Sequence, residues 1–326
     1  MDLSVVLPVF NEETNIRELY ERLIAVINKM GLSYELVFVN DGSVDNSLAI
    51  INDLALKDPH VKFIDLSRNF GHQVAITAGI DHAFGKYIAI IDSDLQDPPE
   101  TLEPLYNKLA EGYDVVYARR LKRKGESLLK LLTAKSFYRI LRRITSIEIP
   151  VDTGDFRIIR AKVAEVLKKM PEQNKFLRGQ IAWAGFRQSY IEYNREERRS
   201  GKTSFSYGKM MRFAKDGITS FSDLPLKAVT WSGFFVAFIA FVVAIYSLYS
   251  KLILGSAVPG WASLMISLLF LGGVQLISIG IIGEYIGRIA ANIRNRPLYI
   301  INESNISGAG FKEDARKPSE TTGQKP

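Results

Sequence analysis

Tyr87-Ile88-Ala89-Ile90-Ile91-Asp92-Ser93-Asp94-Leu95-Gln96-Asp97-Pro98-Pro99 is a short β-rich run that empties into acidic residues and then a proline pair. Lys86 to Ile91 reads as a buried strand, and the pattern from Glu100 to Glu111 reads as the helix that follows it. The same alternation recurs outward from it. β-rich runs at Leu3 to Val9, Tyr34 to Asn40, Val61 to Leu66 and Asp114 to Ala118 are separated by helical patterns that include Thr14 to Lys29, Ser47 to Leu56 and His72 to Ala83. Such alternation marks βαβ units. The expected fold class is therefore α/β with a doubly wound, mainly parallel sheet, which binds ligands where its strands end at the carboxyl edge.

That edge is acidic in this chain. Asp92, Asp94 and Asp97 with the amide oxygen of Gln96 leave one strand end, and in a turn such groups can converge on a divalent cation. Oxygen donors select Mg²⁺ or Mn²⁺, ions that commonly complete their coordination with substrate phosphates. Asp97 also suits a helix N-cap, with Pro98 at the first helical position. Two further strands run into Asn11-Glu12-Glu13 and into Asn40-Asp41-Gly42-Ser43. A carboxylate there can accept hydrogen bonds from a base or ribose, and the same residues make good turns and caps. Neither G-x-G-x-x-G after the first strand nor G-x-x-x-x-G-K-[ST] occurs, so the dinucleotide and P-loop fingerprints are both missing.

Composition narrows the classes further. The chain has 326 residues, 42 Lys plus Arg against 35 Asp plus Glu, 47% hydrophobic residues, no cysteine and three histidines. Disulfides, thiolate metal sites and cysteine nucleophiles are excluded, and no H-E-x-x-H is formed. No charged residue occurs from Ala228 to Ser250 or from Leu252 to Gly283, and each run exceeds the roughly 20 residues that cross ~30 Å of hydrocarbon as a helix. Two transmembrane helices are expected near Val229 to Tyr249 and Trp261 to Gly283. Lys202, Lys209, Arg212, Lys215 and Lys227 precede the pair and Arg288, Arg294 and Arg296 follow it, while the connector holds only Lys251, which predicts both termini on the cytoplasmic side of the inner membrane. Met1 to Phe10 lacks the basic start and apolar length of a signal peptide. The organisation read from this is a cytoplasmic catalytic domain over 1–205, a juxtamembrane amphipathic helix over 206–227, a transmembrane hairpin over 228–287 and a partly disordered cytoplasmic tail over 288–326.

Basic segments border the hairpin. Arg119 to Lys124 and Lys130, Lys135, Arg139, Arg142 and Arg143 interleave with Leu128, Leu131, Leu132, Tyr138 and Leu141, the pattern of an amphipathic helix on an anionic lipid surface. A second such stretch, Met210 to Phe221, lies directly before the first span. This placement favours membrane over nucleic acid as the partner of the positive charge. Asp155, in an acidic turn before a strand over Phe156 to Arg160, faces this basic surface and could place or activate an acceptor. Arg195, Arg198, Arg199 and Lys202 form a basic loop that either closes over phosphates or is a juxtamembrane linker.

In order along the chain, Val5 to Glu13, Val39-Asn40-Asp41-Gly42-Ser43, Arg68-Asn69-Phe70-Gly71, Asp92 to Pro99, Gly154-Asp155-Phe156-Arg157, Phe270 to Gln275 and Gly283 to Arg288 resemble motifs of glycosyltransferase family 2. Within it they are most similar to polyisoprenyl-phosphate glycosyltransferases such as the dolichol-phosphate mannose synthases and bactoprenol glucosyltransferases. The resemblance implies a GT-A-type sheet in which Pro8, Phe10, Glu12, Val39 and Asp41 line the nucleotide pocket. Asp92, Ser93, Asp94 and Gln96 would hold nucleotide and metal, Arg120 and Arg198 would meet the phosphates, and Asp155 would serve the acceptor side. The closing loop departs from the family's G-x-[ST]-K, because Gly201-Lys202-Thr203-Ser204 has serine where lysine is expected, with Lys202 as the nearest replacement. The implied reaction is inverting, metal-dependent transfer of a sugar from a UDP-sugar to undecaprenyl phosphate for cell-envelope glycan, lipopolysaccharide or teichoic acid modification, with glucose first and N-acetylglucosamine next. A homo-oligomer is expected, to which the Gly283-x-x-x-Gly287 pair could contribute, together with a separate flippase and a downstream glycosyltransferase. The rival readings are an inactive membrane scaffold that keeps nucleotide binding and a processive polysaccharide synthase, although no Q-x-x-R-W motif occurs.

Overall fold

Along strand β1 (Leu3–Val9), Leu3, Val5, Leu7 and Val9 pack into one apolar cluster while Val6 packs into another, and all are buried. A strand with period two that is apolar on both faces needs a layer of helices on each side. The computed structural model describes residues 1–121, 153–194, 224–253, 260–294 and 296–306. The two amphipathic stretches, the Arg195 to Ser204 loop with Arg198 and Lys202, and the tail after 306 lie outside the described residues.

β1 pairs in parallel with β2 (Tyr34–Asn40) and β4 (Tyr87–Ile90), and β2 pairs in parallel with β3 (Val61–Leu66). Beyond β4, strand β6 (Thr153–Arg160) runs antiparallel between β4 and β5 (Val115–Arg120), and β7 (Gln188–Tyr193) lies parallel to β5 at the edge. At the opposite edge β8 (Ile301–Ser304) is antiparallel to β3, completing a mixed eight-stranded sheet. Helices α1 (Ile16–Met30), α2 (Ser47–Lys57) and α4 (Leu102–Ala110) cover one face. Helices α3 (His72–Asp81), α5 (Ala161–Lys168) and α6 (Leu177–Trp183) cover the other. In α1 the buried residues Ile16, Leu19, Leu23, Val26 and Ile27 form the single stripe that a period of 3.6 produces. The expected α/β fold with a GT-A-type sheet is the one observed.

Three differences from the sequence reading bear on the site. β6 begins at Thr153, so Asp155 stands within a strand and not in a turn before one. β7 was not expected; its Gln-Ser-Tyr-Ile-Glu-Tyr sequence is only half-buried, as befits an edge strand. β8 falls in the segment read as a tail. Only four residues long, it is held by side chains that no periodicity displays. Asn302 Nδ2 donates to Asp65 Oδ2 at 2.8 Å, Asn305 Oδ1 accepts from the Phe63 amide at 2.8 Å, and Ile306 is buried beside Ile64 and Leu66.

The last two helices, α7 (Leu224–Leu252) and α8 (Trp261–Ile293), pack against each other and expose apolar side chains such as Phe234, Phe238, Phe241, Leu268 and Ile277. Leu226–Val243 and Phe270–Ile293 are long and apolar enough to cross a membrane. The far end of α8 returns to the sheet domain. There the Gln173 amide donates to Asn292 Oδ1 at 3.1 Å and Gln173 Nε2 donates to the Arg296 carbonyl at 2.8 Å.

Candidate active site

Because β1, β2 and β4 are parallel, their ends at Val9, Asn40 and Ile90 share one edge of the sheet. Arg157 of β6 lies opposite Ile90, so the start of β6 with Gly154 and Asp155 reaches the same edge. β5 brings Arg119 opposite Thr153 and places Arg120 beside it. Residues from five strands and the loops after them therefore converge on one cleft.

The loops after β1 and β2 are tied together. The Val44 amide donates to Asn11 Oδ1 at 2.9 Å, the Asn11 amide to Ser43 Oγ at 3.0 Å and the Asn46 amide to Glu13 Oε2 at 2.9 Å. Glu12 accepts from Asn15 Nδ2 at 2.5 Å, while Phe10 is exposed at the cleft mouth. Asp41 is buried and grips the next loop, with Oδ1 accepting from the Phe70 amide at 2.7 Å and Oδ2 from the Gly71 amide at 3.0 Å. Desolvation pushes its pKa up despite these bonds. Gly42 has φ +68°, and a Cβ there would stand 2.6 Å from the backbone of Arg68 and Asn69, so the two loops touch only because this residue is glycine. The side chain of Val39 is fully buried in the cluster that includes Ala75 and Ala78.

After β4, Ser93 Oγ donates to the carbonyl of Pro8 at 2.8 Å and fixes the strand end against β1. Asp94 Oδ1 accepts from the Gln96 amide at 3.1 Å, and Leu95 between them has φ 55°. A non-glycine residue in that region costs of order 1–3 kcal/mol and is kept in place here by burial of its side chain. Asp97 does not cap the following helix. It is fully buried, accepts from the Tyr193 hydroxyl and faces Arg120 Nη2 at 3.6 Å, while the chain enters α4 through a 3₁₀ turn at Pro99–Thr101. Arg120, expected beside phosphates, is held by Asp97 and by its Nε donating to the Tyr193 hydroxyl at 3.2 Å. Desolvation works against its charge, but Asp97, Tyr193 and Asp92 together overcome it and raise its pKa. The guanidinium lies close over Gly154, where a Cβ would stand 2.8 Å from Arg120 Nη2.

Asp155 meets four side chains at this edge. Oδ1 accepts from Arg157 Nη2 at 2.6 Å and Arg178 Nε at 3.3 Å, while Oδ2 accepts from Gln73 Nε2 at 3.0 Å and lies 3.2 Å from His72 Nε2. Desolvation opposes its charge, yet Arg178, His72 and Arg157 hold its pKa well below the usual carboxylate range. His72 Nε2 also lies 3.3 Å from Asp92 Oδ1. Desolvation lowers the His72 pKa, and Asp92 and Asp155 together overcome this and raise it well above that of an ordinary imidazole. Neither His72, Gln73, Arg178 nor Tyr193 was singled out from the sequence. The available signal was the position of His72 directly after Arg68-Asn69-Phe70-Gly71.

Among the described residues no three His, Asp or Glu side chains converge into a closed metal cage. The donors at the β4 end still suit a hard cation that takes much of its coordination from phosphate. Asp92 Oδ1 is buried without a hydrogen bond, and Asp92, Asp94 and Gln96 offer only oxygen.

The acidic groups at the end of β4 stand at the edge where such a sheet binds ligands, and residues 4–168 match the model of Glycosyl transferase family 2. The chain belongs to glycosyltransferase family 2. This transferase also matches the GtrB C-terminal hairpin over residues 224–289, the two apolar helices. It is 49% identical over 301 residues to an uncharacterized glycosyltransferase, YkcC, of Bacillus subtilis (strain 168), which covers 92% of this chain and 93% of that one. It is 43% identical over 305 residues to the bactoprenol glucosyl transferase of Shigella phage SfII, covering 94% of this chain and 99% of that one. Among solved structures, glucosyl-3-phosphoglycerate synthase from Mycobacterium tuberculosis, in complex with Mn²⁺, UDP-glucose and phosphoglyceric acid, matches the transferase at a TM-score of 0.45 and 17% identity, covering 67% of this chain and 77% of that one.

Proposed function

We propose that this glycosyltransferase moves glucose from UDP-glucose to undecaprenyl phosphate, with inversion at the anomeric carbon, on the cytoplasmic face of the inner membrane. The observation that carries the reading is the likeness to the phage bactoprenol glucosyl transferase, which runs through the catalytic domain and the hairpin alike. A charged nucleotide sugar and a lipid-anchored phosphate can meet only at a membrane surface, and a cleft domain followed by an apolar hairpin supplies both halves.

Asp92, Asp94 and Gln96 would hold Mg²⁺ or Mn²⁺, whose charge would offset that of the departing diphosphate. Arg120 stands at the same edge with a fixed positive charge, and Arg198 and Lys202 are the basic residues assigned to closing over the phosphates. Phe10, Glu12 and Asp41 supply the rim on the nucleotide side, with the carbonyl of Pro8 fixed by Ser93. The acceptor is a phosphate already ionised at neutral pH, so its attack needs little help from a base. Asp155, held ionised by two arginines and a histidine, is a weak base and a rigid one; its assigned work is to keep Arg157 and Arg178 in place for the acceptor side. The return of the chain from α8 into β8 supports a hairpin whose outer ends both face the catalytic domain, in line with the distribution of loop charge.

The test is direct. Purified full-length protein in detergent, given undecaprenyl phosphate, Mg²⁺ or Mn²⁺ and radiolabelled UDP-glucose, is expected to move label into the organic phase. Asp94→Ala and chelator are expected to abolish it. Label from UDP-N-acetylglucosamine alone would reassign the sugar, and no label from any donor by a folded, nucleotide-binding protein would favour the scaffold reading.

A further inference from the structure

Asp92 follows β4 and Asp155 lies within β6, yet one side chain stands between them. His72, the first residue of α3, places a single ring nitrogen 3.3 Å from Asp92 Oδ1 and 3.2 Å from Asp155 Oδ2. The two carboxylates are not equally secured. Asp155 has its own donors in Gln73, Arg157 and Arg178 and is almost wholly buried. Asp92 Oδ1 is buried without a hydrogen bond, and the imidazole is its nearest cation.

We propose that His72 is a positioning residue for the donor side, an imidazole braced on Asp155 that orients Asp92 toward the nucleotide sugar. The inference rests on the reaction proposed above and adds a residue and a direction of action to it. Asp155 is the fixed end, because Arg157, Arg178 and Gln73 keep it in place whether or not the imidazole is present. Asp92 is the movable end, so loss of His72 is felt by whatever Asp92 holds. Side chains that orient a ligating carboxylate are typically worth about 10–100-fold in affinity or activity. His72 is half-exposed on the cleft floor, where no tightly packed core depends on it.

The experiment compares His72→Leu, His72→Gln and His72→Asn in full-length protein. It measures binding of UDP with Mg²⁺ by calorimetry, and KM for UDP-glucose and for undecaprenyl phosphate separately. His72→Leu is expected to weaken UDP binding and raise the donor KM by about tenfold or more, leaving the acceptor KM unchanged. His72→Gln carries an amide nitrogen at the reach of Nε2 and is expected to restore most of the loss. His72→Asn is too short to touch both carboxylates and is expected to behave as leucine does, which keeps the test informative if the leucine variant fails to fold. A donor KM and UDP affinity unchanged in both the leucine and asparagine variants would overturn the proposal, and so would a rise confined to the acceptor KM. If wild-type protein binds UDP but transfers no sugar, the reaction proposed above fails, and the UDP-binding arm still decides the role of His72.

Discussion

Replacing Asp155 with asparagine separates charge from shape at the most crowded point of the cleft. The carboxylate is nearly buried, and Arg157, whose side chain is 1% exposed, depends on it for a counter-charge. Removing one member of such a pair leaves the other charged and dry, which costs about 3–5 kcal/mol. A drop of several degrees in Tm is therefore expected for Asp155→Asn in detergent, together with loss of transfer. Because the native pKa is held well below the ordinary value of about 3.9, the stabilisation is complete above that pH and fades only as pH falls through the lower native value. The gap in Tm between wild type and Asp155→Asn should stay constant from neutral pH to about pH 5 and close in stronger acid. A gap that closes near neutrality would mean that Asp155 is not held ionised. The carboxylate itself was legible in the sequence as an acid at a strand edge beside basic segments. Its partners were not, because His72 and Gln73 lie 83 and 82 positions away and are brought to it only by the packing of α3 against the sheet.

Elements explain which parts of the site the sequence could display. β1, β2 and β3 are apolar runs bounded by turn residues, and each was located from its pattern because central strands are buried on both faces. β7 contributes Tyr193 to the cleft floor, but an edge strand with polar residues at alternate positions carries no comparable signal. Contacts between loops are a third case, and the segment after β2 is the clearest. Gly42 reads in sequence as part of a turn, whereas in the fold its missing side chain lets that turn touch Arg68 and Asn69 while Asp41 binds the next two amides. Gly42→Ala would combine an unfavourable φ, worth about 1–3 kcal/mol, with a backbone collision that no rotamer change relieves. The expected result is a lower Tm and weakened UDP binding, both measurable without the lipid substrate. Retention of full UDP affinity would show that the Asp41 loop plays no part in the nucleotide pocket.

At the scale of the whole chain, the described residues show specific contacts that join the end of the apolar hairpin to the cleft. Gln173 binds Asn292 at the end of α8 and Arg296 just beyond it, and four residues later the Leu177 amide donates to Gln73 Oε1 at 3.2 Å, the same glutamine whose other end reaches Asp155. Beyond α8, Tyr299 donates to Asp81 Oδ2 at 2.9 Å at the end of α3, the helix that begins with His72. The segment leaving the hairpin thus grips both the stretch that leads to Leu177, whose amide holds Gln73, and the far end of the helix that carries His72 and Gln73. Gln173→Ala and Tyr299→Phe touch neither nucleotide residues nor the hairpin's apolar surface. Combined, they should leave UDP affinity within about twofold of wild type, since each is remote from that pocket. Transfer to undecaprenyl phosphate in liposomes should fall by up to about a hundredfold, the scale on which small misplacements reduce rate, and transfer to a short, detergent-soluble polyprenyl phosphate should fall less. Equal losses with both acceptors would indicate damage to the cleft itself. No loss with either would mean that the hairpin anchors this enzyme without setting the height or angle of its active site.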